Sequence, residues 1–300
     1  MKHPLIFMLL IVTAAFSAEE DLTTPPVVTA KAWAISEAKT GKILWQHNAD
    51  EPRKAASTAK AMCAYTVLRL AKATPAILEE WVTVSQLAGT TTGSTADLKP
   101  GEQVQVKDAL LGMLLPSGND AGNAFAEHFH ARLAPPDDAM LKVGLANPLL
   151  KTRANFIAEM NRMARAIGMT KTIYRSSFGD GGTEDDRTTT AHDLSMLAHT
   201  AMQMPTFRQA VATRRHEALV KKADGTTRQA VWENSNALLA LDLGYDGIKT
   251  GLTNQAGHCI IASGKRGDDR LHVVILGATS EEARDADARN LFRWAWSKRQ

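Results

Sequence analysis

Ala56-Ser57-Thr58-Ala59-Lys60-Ala61-Met62-Cys63-Ala64-Tyr65-Thr66-Val67-Leu68 follows the irregular stretch Asp50-Glu51-Pro52-Arg53-Lys54 and carries no charge between Lys60 and Arg69. Such a run reads as a helix buried on all sides, its first turn at the edge of a pocket. Residues three apart on a helix share a face, with about 5–6 Å between Cβ atoms, which sets Lys60 beside Ser57. A serine whose proton acceptor is a lysine is an acyl-transfer nucleophile. Burial disfavours an ammonium and a second cation adds to the effect, which is how an amine becomes a base near neutral pH. The plainer reading of the same four residues is a serine N-cap followed by a snorkelling lysine. Ser-x-x-Lys alone does not decide, because about one copy arises by chance in a chain of this length.

The chain contains such a copy. Ser36-Glu37-Ala38-Lys39 has the same spacing, and Lys39-Thr40-Gly41 spells a second short motif that recurs downstream. Trp33 to Glu37 alternates apolar and polar residues, and Lys42-Ile43-Leu44-Trp45-Gln46 follows as a second strand-like run, so the segment is a β-hairpin with Gly41 in the turn. Residues three apart on a strand face opposite sides, and Ser36 and Lys39 cannot cooperate.

Two further pieces complete the set. Ser117-Gly118-Asn119 lies between the helical runs 106–115 and 120–132, and Lys249-Thr250-Gly251 ends a strand-like run where Gly251 permits close backbone approach. Taken singly, the first is an ordinary turn with Asn119 or Asp120 capping the next helix, and the second a strand end. Taken with Ser57 and Lys60, in this order, they describe one serine–lysine site.

Of 300 residues, 44% are hydrophobic and 22% charged, with a formal net charge of +3. That is ordinary globular composition, with core enough to fold alone and no basic stripe for nucleic acid. Residues 1–18 read as a signal peptide: Lys2, an apolar run from Leu5 to Val12, and a small-x-small site cut after Ser17 or Ala18. The chain is then exported and extracytoplasmic. Cys63 and Cys259 fit small core positions better than a disulfide, and the nine histidines show no metal spacing, so neither metal nor cofactor is expected.

Beyond the hairpin, the text is mostly helical to about residue 203, including 156–167 closed by Gly168 and 190–202 stopped before Pro205. Strand character returns at 245–250, 258–263 and 271–278, and 281–297 closes as a helix whose Leu291, Trp294 and Ala295 read as core packing over a membrane foot. Strands at both ends around a helical middle give an α/β (α+β) fold: one antiparallel sheet flanked by helices, with an inserted helical lobe and the pocket between the two. The boundaries are 19–31 as a linker and 32–300 as a single catalytic domain, with no C-terminal β domain.

These pieces resemble the penicillin-binding proteins, specifically the low-molecular-mass serine D-alanyl-D-alanine carboxypeptidases, from about Ala32 to Trp296. The phrases Asn48-Ala49-Asp50-Glu51, Ser117-Gly118-Asn119-Asp120-Ala121, Met160-Asn161, Ile167-Gly168-Met169, Thr190-Ala191-His192-Asp193-Leu194 and Asp246-Gly247-Ile248-Lys249-Thr250-Gly251 carry the likeness. The resemblance implies a β-lactamase/penicillin-binding-protein-like fold and peptidoglycan stem peptides ending in D-Ala-D-Ala as substrate, with β-lactams as inhibitors. It implies Ser57 as acylated nucleophile, Lys60 as base, Ser117 as proton relay to the leaving amine, and Asn119 as a hold on Lys60 and the substrate amide. Lys249, Thr250 and Arg284 would receive the terminal carboxylate, and the backbone N–H groups of Ser57 and Leu252 would form the oxyanion hole beside Gly251.

Where the family carries Asn-x-x-Gly-Leu, this chain has Tyr174-Arg175-Ser176-Ser177-Phe178-Gly179-Asp180-Gly181-Gly182, which bears on substrate choice if the loop borders the cleft. D,D-endopeptidase activity on cross-links is the near alternative. A β-lactamase lacks support because no Glu-x-x-Leu-Asn supplies a deacylating base. A non-catalytic wall-binding protein would need neither nucleophile nor base.

Overall fold

A computed structural model describes residues 24–179 and 189–299. The expected leader at 1–18 and most of the linker lie outside the described residues. Strands β1 (Ala32–Glu37) and β2 (Ile43–His47) form the expected hairpin, with Gly41 at φ +74° and its N–H bonded to Glu37 O. Ser36 is buried within β1 while Lys39 is exposed in the turn, so that Ser-x-x-Lys copy has no shared face.

The chain next forms α1 (Ala59–Ala73), β3 (Trp81–Thr83), α2 (Gln86–Gly89), β4 (Gln103–Gln105), α3 (Val106–Leu114) and α4 (Asn119–His130). It continues with α5 (Asp138–Met140), α6 (Ala154–Ala166), α7 (Ala191–Ala201), α8 (Pro205–Ala212), β5 (Arg215–Lys221) and β6 (Thr227–Glu233). β7 (Tyr245–Thr253), β8 (Gly257–Arg266), β9 (Asp269–Ala278) and α9 (Glu281–Ser297) complete it. The two ends build one antiparallel sheet in the order β2-β1-β9-β8-β7, pairing Ala34 with Val274, Val274 with Ile261, and Ile261 with Lys249.

The antiparallel sheet flanked by helices is as expected, and the inserted lobe adds strands to its helices. It holds a second antiparallel sheet, β3-β4-β5-β6. β3 and β4 have three residues each, too short for alternation to register. β5 and β6 do alternate: Ala218, Val220, Ala230 and Trp232 are buried, their neighbours exposed or half-buried, around an Asp224-Gly225 turn with Gly225 at φ +85°.

Apolar packing fills both faces of the main sheet. α1 is buried from Ala59 to Leu68 against one face, with Cys63 inside it. α9 covers the other with Leu291, Phe292, Trp294, Ala295 and Trp296, so its apolar stripe is spent in the core. Asp287 on α9 ties the start of β1 by accepting from Thr29 N, Thr29 Oγ1 and Ala30 N at 2.8–3.0 Å. Both cysteines are buried and free, and burial pushes the Cys259 thiol up to about 11. No helix among the described residues is long and apolar enough to cross a membrane.

His272 in β9 is wholly buried, with neither ring nitrogen bonded. Burial, then Arg270 and His199, press its pKa down from 6.5 to about 3. Between those values the unfolded chain binds a proton that the folded one refuses, so stability falls as pH falls through that window. Urea unfolding at pH 7 and pH 4 should show the parent losing about 3 kcal/mol more than His272→Leu. Equal losses would remove His272 as the source.

Candidate active site

Ser57 sits in a short turn, Ala56–Thr58, that feeds directly into α1. Ala56 is held at φ +46°, a left-handed conformation that an L side chain tolerates poorly, and this sharp entry presents Ser57 ahead of the helix. Lys60, one turn later, is wholly buried, and its Nζ lies 2.7 Å from Ser57 Oγ. The same Nζ donates to Asn119 Oδ1 at 2.7 Å and to Phe178 O at 3.3 Å. Three distant parts of the chain therefore converge on one amine.

Asn119 opens α4. Its Nδ2 donates to Thr92 O and its N–H to Ser94 O, each at 2.8 Å, which leaves Oδ1 turned to Lys60. Ser117, two residues earlier, has φ +65°, is 7% exposed, and its Oγ has no hydrogen-bond partner among the described residues. A strained serine with an unspent hydroxyl is what a proton relay to an incoming group requires. Gly118 between them has no room for a side chain: a Cβ would lie 2.6 Å from Asp120 Oδ1 and 2.8 Å from Ala96 N.

Asp120 is a residue that sequence reasoning missed, having taken it only as a helix cap. Its carboxylate instead accepts from Thr95 Oγ1, Ala96 N and Leu98 N at 2.7–3.1 Å, fastening that loop across the Ser117 turn. No spacing rule marks it, because its partners lie 22 to 25 residues away. Ser235 was also missed: its N–H donates to Leu115 O and its Oγ lies 3.0 Å from Thr250 Oγ1, joining the Ser117 turn to β7.

On β7, Lys249 is 2% exposed and donates to Thr250 O at 3.1 Å. Burial, then the charges of Lys60 and Arg284, hold its ammonium well below the usual lysine range. Gly251 abuts the nucleophile's turn, since a Cβ there would stand 3.0 Å from both Ser57 N and Thr58 N. Leu252, next along, is 55% exposed at the strand's open edge. Arg284 is placed apart: at the start of α9, buried, its guanidinium bonded to Asp285 at 2.8 Å and Glu281 at 3.0 Å. Its charge reaches Lys249, and no bond to β7 is seen among the described contacts.

The departing loop does border the site. Asn161 clamps Tyr174 through both backbone groups at 2.8 Å, Phe178 O meets Lys60, and Gly179, at φ +94°, passes so close that a Cβ would lie 1.8 Å from Ala56 O. Asp180-Gly181-Gly182 lie outside the described residues.

Comparison with known proteins follows the same lines. The sequence profile of the D-alanyl-D-alanine carboxypeptidase family matches residues 19–132 and 138–280. Escherichia coli D-alanyl-D-alanine carboxypeptidase DacC is 31% identical over 97% of this chain, which spans 66% of that relative's length. A Streptomyces D-alanyl-D-alanine carboxypeptidase is 30% identical over 92% of this chain and 90% of its own. The crystal structure of a Streptomyces DD-transpeptidase superposes with a TM-score of 0.80 at 29% identity, over 91% of this chain and 99% of that one.

Gly251→Val should slow acylation by benzylpenicillin about a hundredfold or more, because its side chain presses on the Ser57 amide. Rates like the parent's, followed by intact mass, would mean that β7 does not shape the nucleophile. Lys249→Met should slow turnover comparably while leaving unfolding free energy unchanged or about 1–2 kcal/mol higher, since it removes a buried charge. A less stable variant would make that ammonium a structural group.

Proposed function

The chain belongs to the D-alanyl-D-alanine carboxypeptidase family, and on that premise we propose that it is a serine D,D-carboxypeptidase removing the terminal D-alanine from peptidoglycan stem pentapeptides. The observation that carries this reading is the bonded chain Ser57–Lys60–Asn119, closed inside the protein with 2.7 Å at each step. That distance lies within the range for proton transfer between nucleophile and base.

Lys60 takes the Ser57 proton as Oγ attacks the carbonyl of the penultimate D-alanine. The negative charge that develops on that oxygen meets the backbone N–H groups of Ser57 and Leu252, a reading supported by the close approach of Gly251 to the Ser57 amide. Ser117 Oγ passes a proton to the departing D-alanine nitrogen and takes in its place the one Lys60 had accepted, which leaves Lys60 free to accept a proton from the water of the next step. Water then cleaves the ester on Ser57 and regenerates the enzyme. Lys249 and Thr250 receive the substrate's terminal carboxylate, with Arg284 adding positive field from behind. A β-lactam presents a strained amide and a carboxylate at the same spacing, so it acylates Ser57 and holds it.

A site of this kind acts where stem peptides are, and we assign the protein to the extracytoplasmic space. Residues 32–299 form its catalytic unit, supported by the single sheet drawn from both ends.

Intact-mass spectrometry of the protein with benzylpenicillin, beside Ser57→Ala, tests the assignment. The parent should carry a lasting penicilloyl adduct and release D-alanine from pentapeptide, with Ser57→Ala at least about a thousandfold slower and unlabelled. Rapid drug hydrolysis without an adduct would point to a β-lactamase, and cleavage of cross-linked muropeptides alone to an endopeptidase.

A further inference from the structure

A cavity of about 460 Å³ lies where β7 runs out past the nucleophile, lined by Lys31, Arg53, Lys54, Asn254 and Gln255 among others. Three of its walls are cationic, and no carboxylate lines it among the described residues. Arg53 bonds Glu51 at 2.7 Å and pairs its backbone with Thr189, which fixes that wall. Lys31 is exposed, ahead of β1 and beside the end of β9, where its N–H bonds Leu276 O and its side chain lies over Gly277.

Its place relative to the chemistry follows from chain length. Lys54 is three residues before Ser57 and Asn254 three after Gly251, and Ser57 and Gly251 are in contact. Three extended residues span about 10 Å, so the cavity begins within about that distance of the nucleophile.

The direction of the substrate follows from the roles on β7. With the terminal carboxylate at Lys249 and Thr250 and the scissile carbonyl at the Leu252 N–H, the upstream part of the peptide extends past Thr253 toward Asn254 and Gln255. Stem peptides carry free carboxylates there, on the γ-linked D-glutamate at the second residue and, in many walls, on a diamino diacid at the third. Resting on the carboxypeptidase reading, we propose that Lys31, Arg53 and Lys54 form an anion subsite that binds an upstream stem-peptide carboxylate and selects for it.

Four pentapeptides separate the sources: one with both carboxylates, one amidated at the second residue, one with lysine at the third, and one with both changes. At low ionic strength, Lys31→Ala and Lys54→Ala should each lower kcat/KM for the doubly charged peptide about five- to tenfold, through KM, and Lys31→Glu by more. The peptide lacking both upstream carboxylates and benzylpenicillin acylation should be unaffected, and the single change that abolishes the difference identifies the bound carboxylate. Equal rates for parent and all three variants on every peptide would overturn the subsite while leaving the activity standing. If the parent frees D-alanine from none of the four, the carboxypeptidase reading falls and the subsite with it.

Discussion

Two buried lysine amines close enough for the charge of one to disfavour the charge of the other, Lys60 and Lys249, set the terms for the rest of this molecule. Burying one unpaired charge already costs several kcal/mol, and a like charge nearby adds to it. The fold offsets Lys60 with oxygen atoms drawn from the turn before α1, the start of α4 and the Phe178 loop. Among the described residues Lys249 bonds the carbonyl and, at 3.5 Å, the hydroxyl of Thr250, and its pKa lies well below the ordinary lysine range. The repulsion acts both ways. What makes this site poor as structure makes it able to take a proton and to welcome an anion.

Strain is distributed in keeping with that. Ala56, just before Ser57, and Ser117 itself are both non-glycine residues in the left-handed region. Such conformations persist only where neighbours over-determine them. Asp120 does so for the Ser117 turn by gathering the amides of Ala96 and Leu98, and the passage of Gly179 over Ala56 O does so for the Ser57 turn. Neither Asp120 nor Gly179 has to touch a substrate, yet each fixes where a reacting hydroxyl points.

Much of this was legible in the order of residues because it is local. An uncharged run after Ser57 dictates a buried helix, the gap between Glu37 and Lys42 dictates a hairpin, and 281–297 closes as a helix at those bounds. The serine–lysine pair is legible for the same reason, since helical periodicity alone sets the two side by side. What was not legible depends on contacts across the chain. β3 and β4 exist because each is the other's partner, and three residues apiece hold no period to detect. The role of Asp120 depends on a loop more than twenty residues earlier, and that of Phe178 on a carbonyl, which sequence does not distinguish from any other. The hairpin at 215–233 is a different case: its Asp-Gly turn and alternation are present in the sequence, yet no element is predicted between 203 and 245.

Topology explains why an extended peptide is the natural guest. β7 is an edge strand of the five-stranded sheet, and an edge offers unpaired backbone groups to any chain that lies along it. Exposed edges invite aggregation unless they are covered, and this one is covered selectively. Near its start α8 packs so closely that a Cβ on Gly247 would meet Val211 Cγ2 at 2.7 Å, and at Gly251 the Ser57 turn closes in. Only from Leu252 onward does the edge open, with that side chain half exposed. On the proposed reading, a peptide entering there would have its backbone registered before its end reached Lys249, so that strand pairing would place the bond to be cut and the charge at its terminus would complete the fit. Binding energy gathered along the strand would thereby be turned into position at Ser57, the proposed nucleophile, where a displacement of one residue would present the wrong carbonyl.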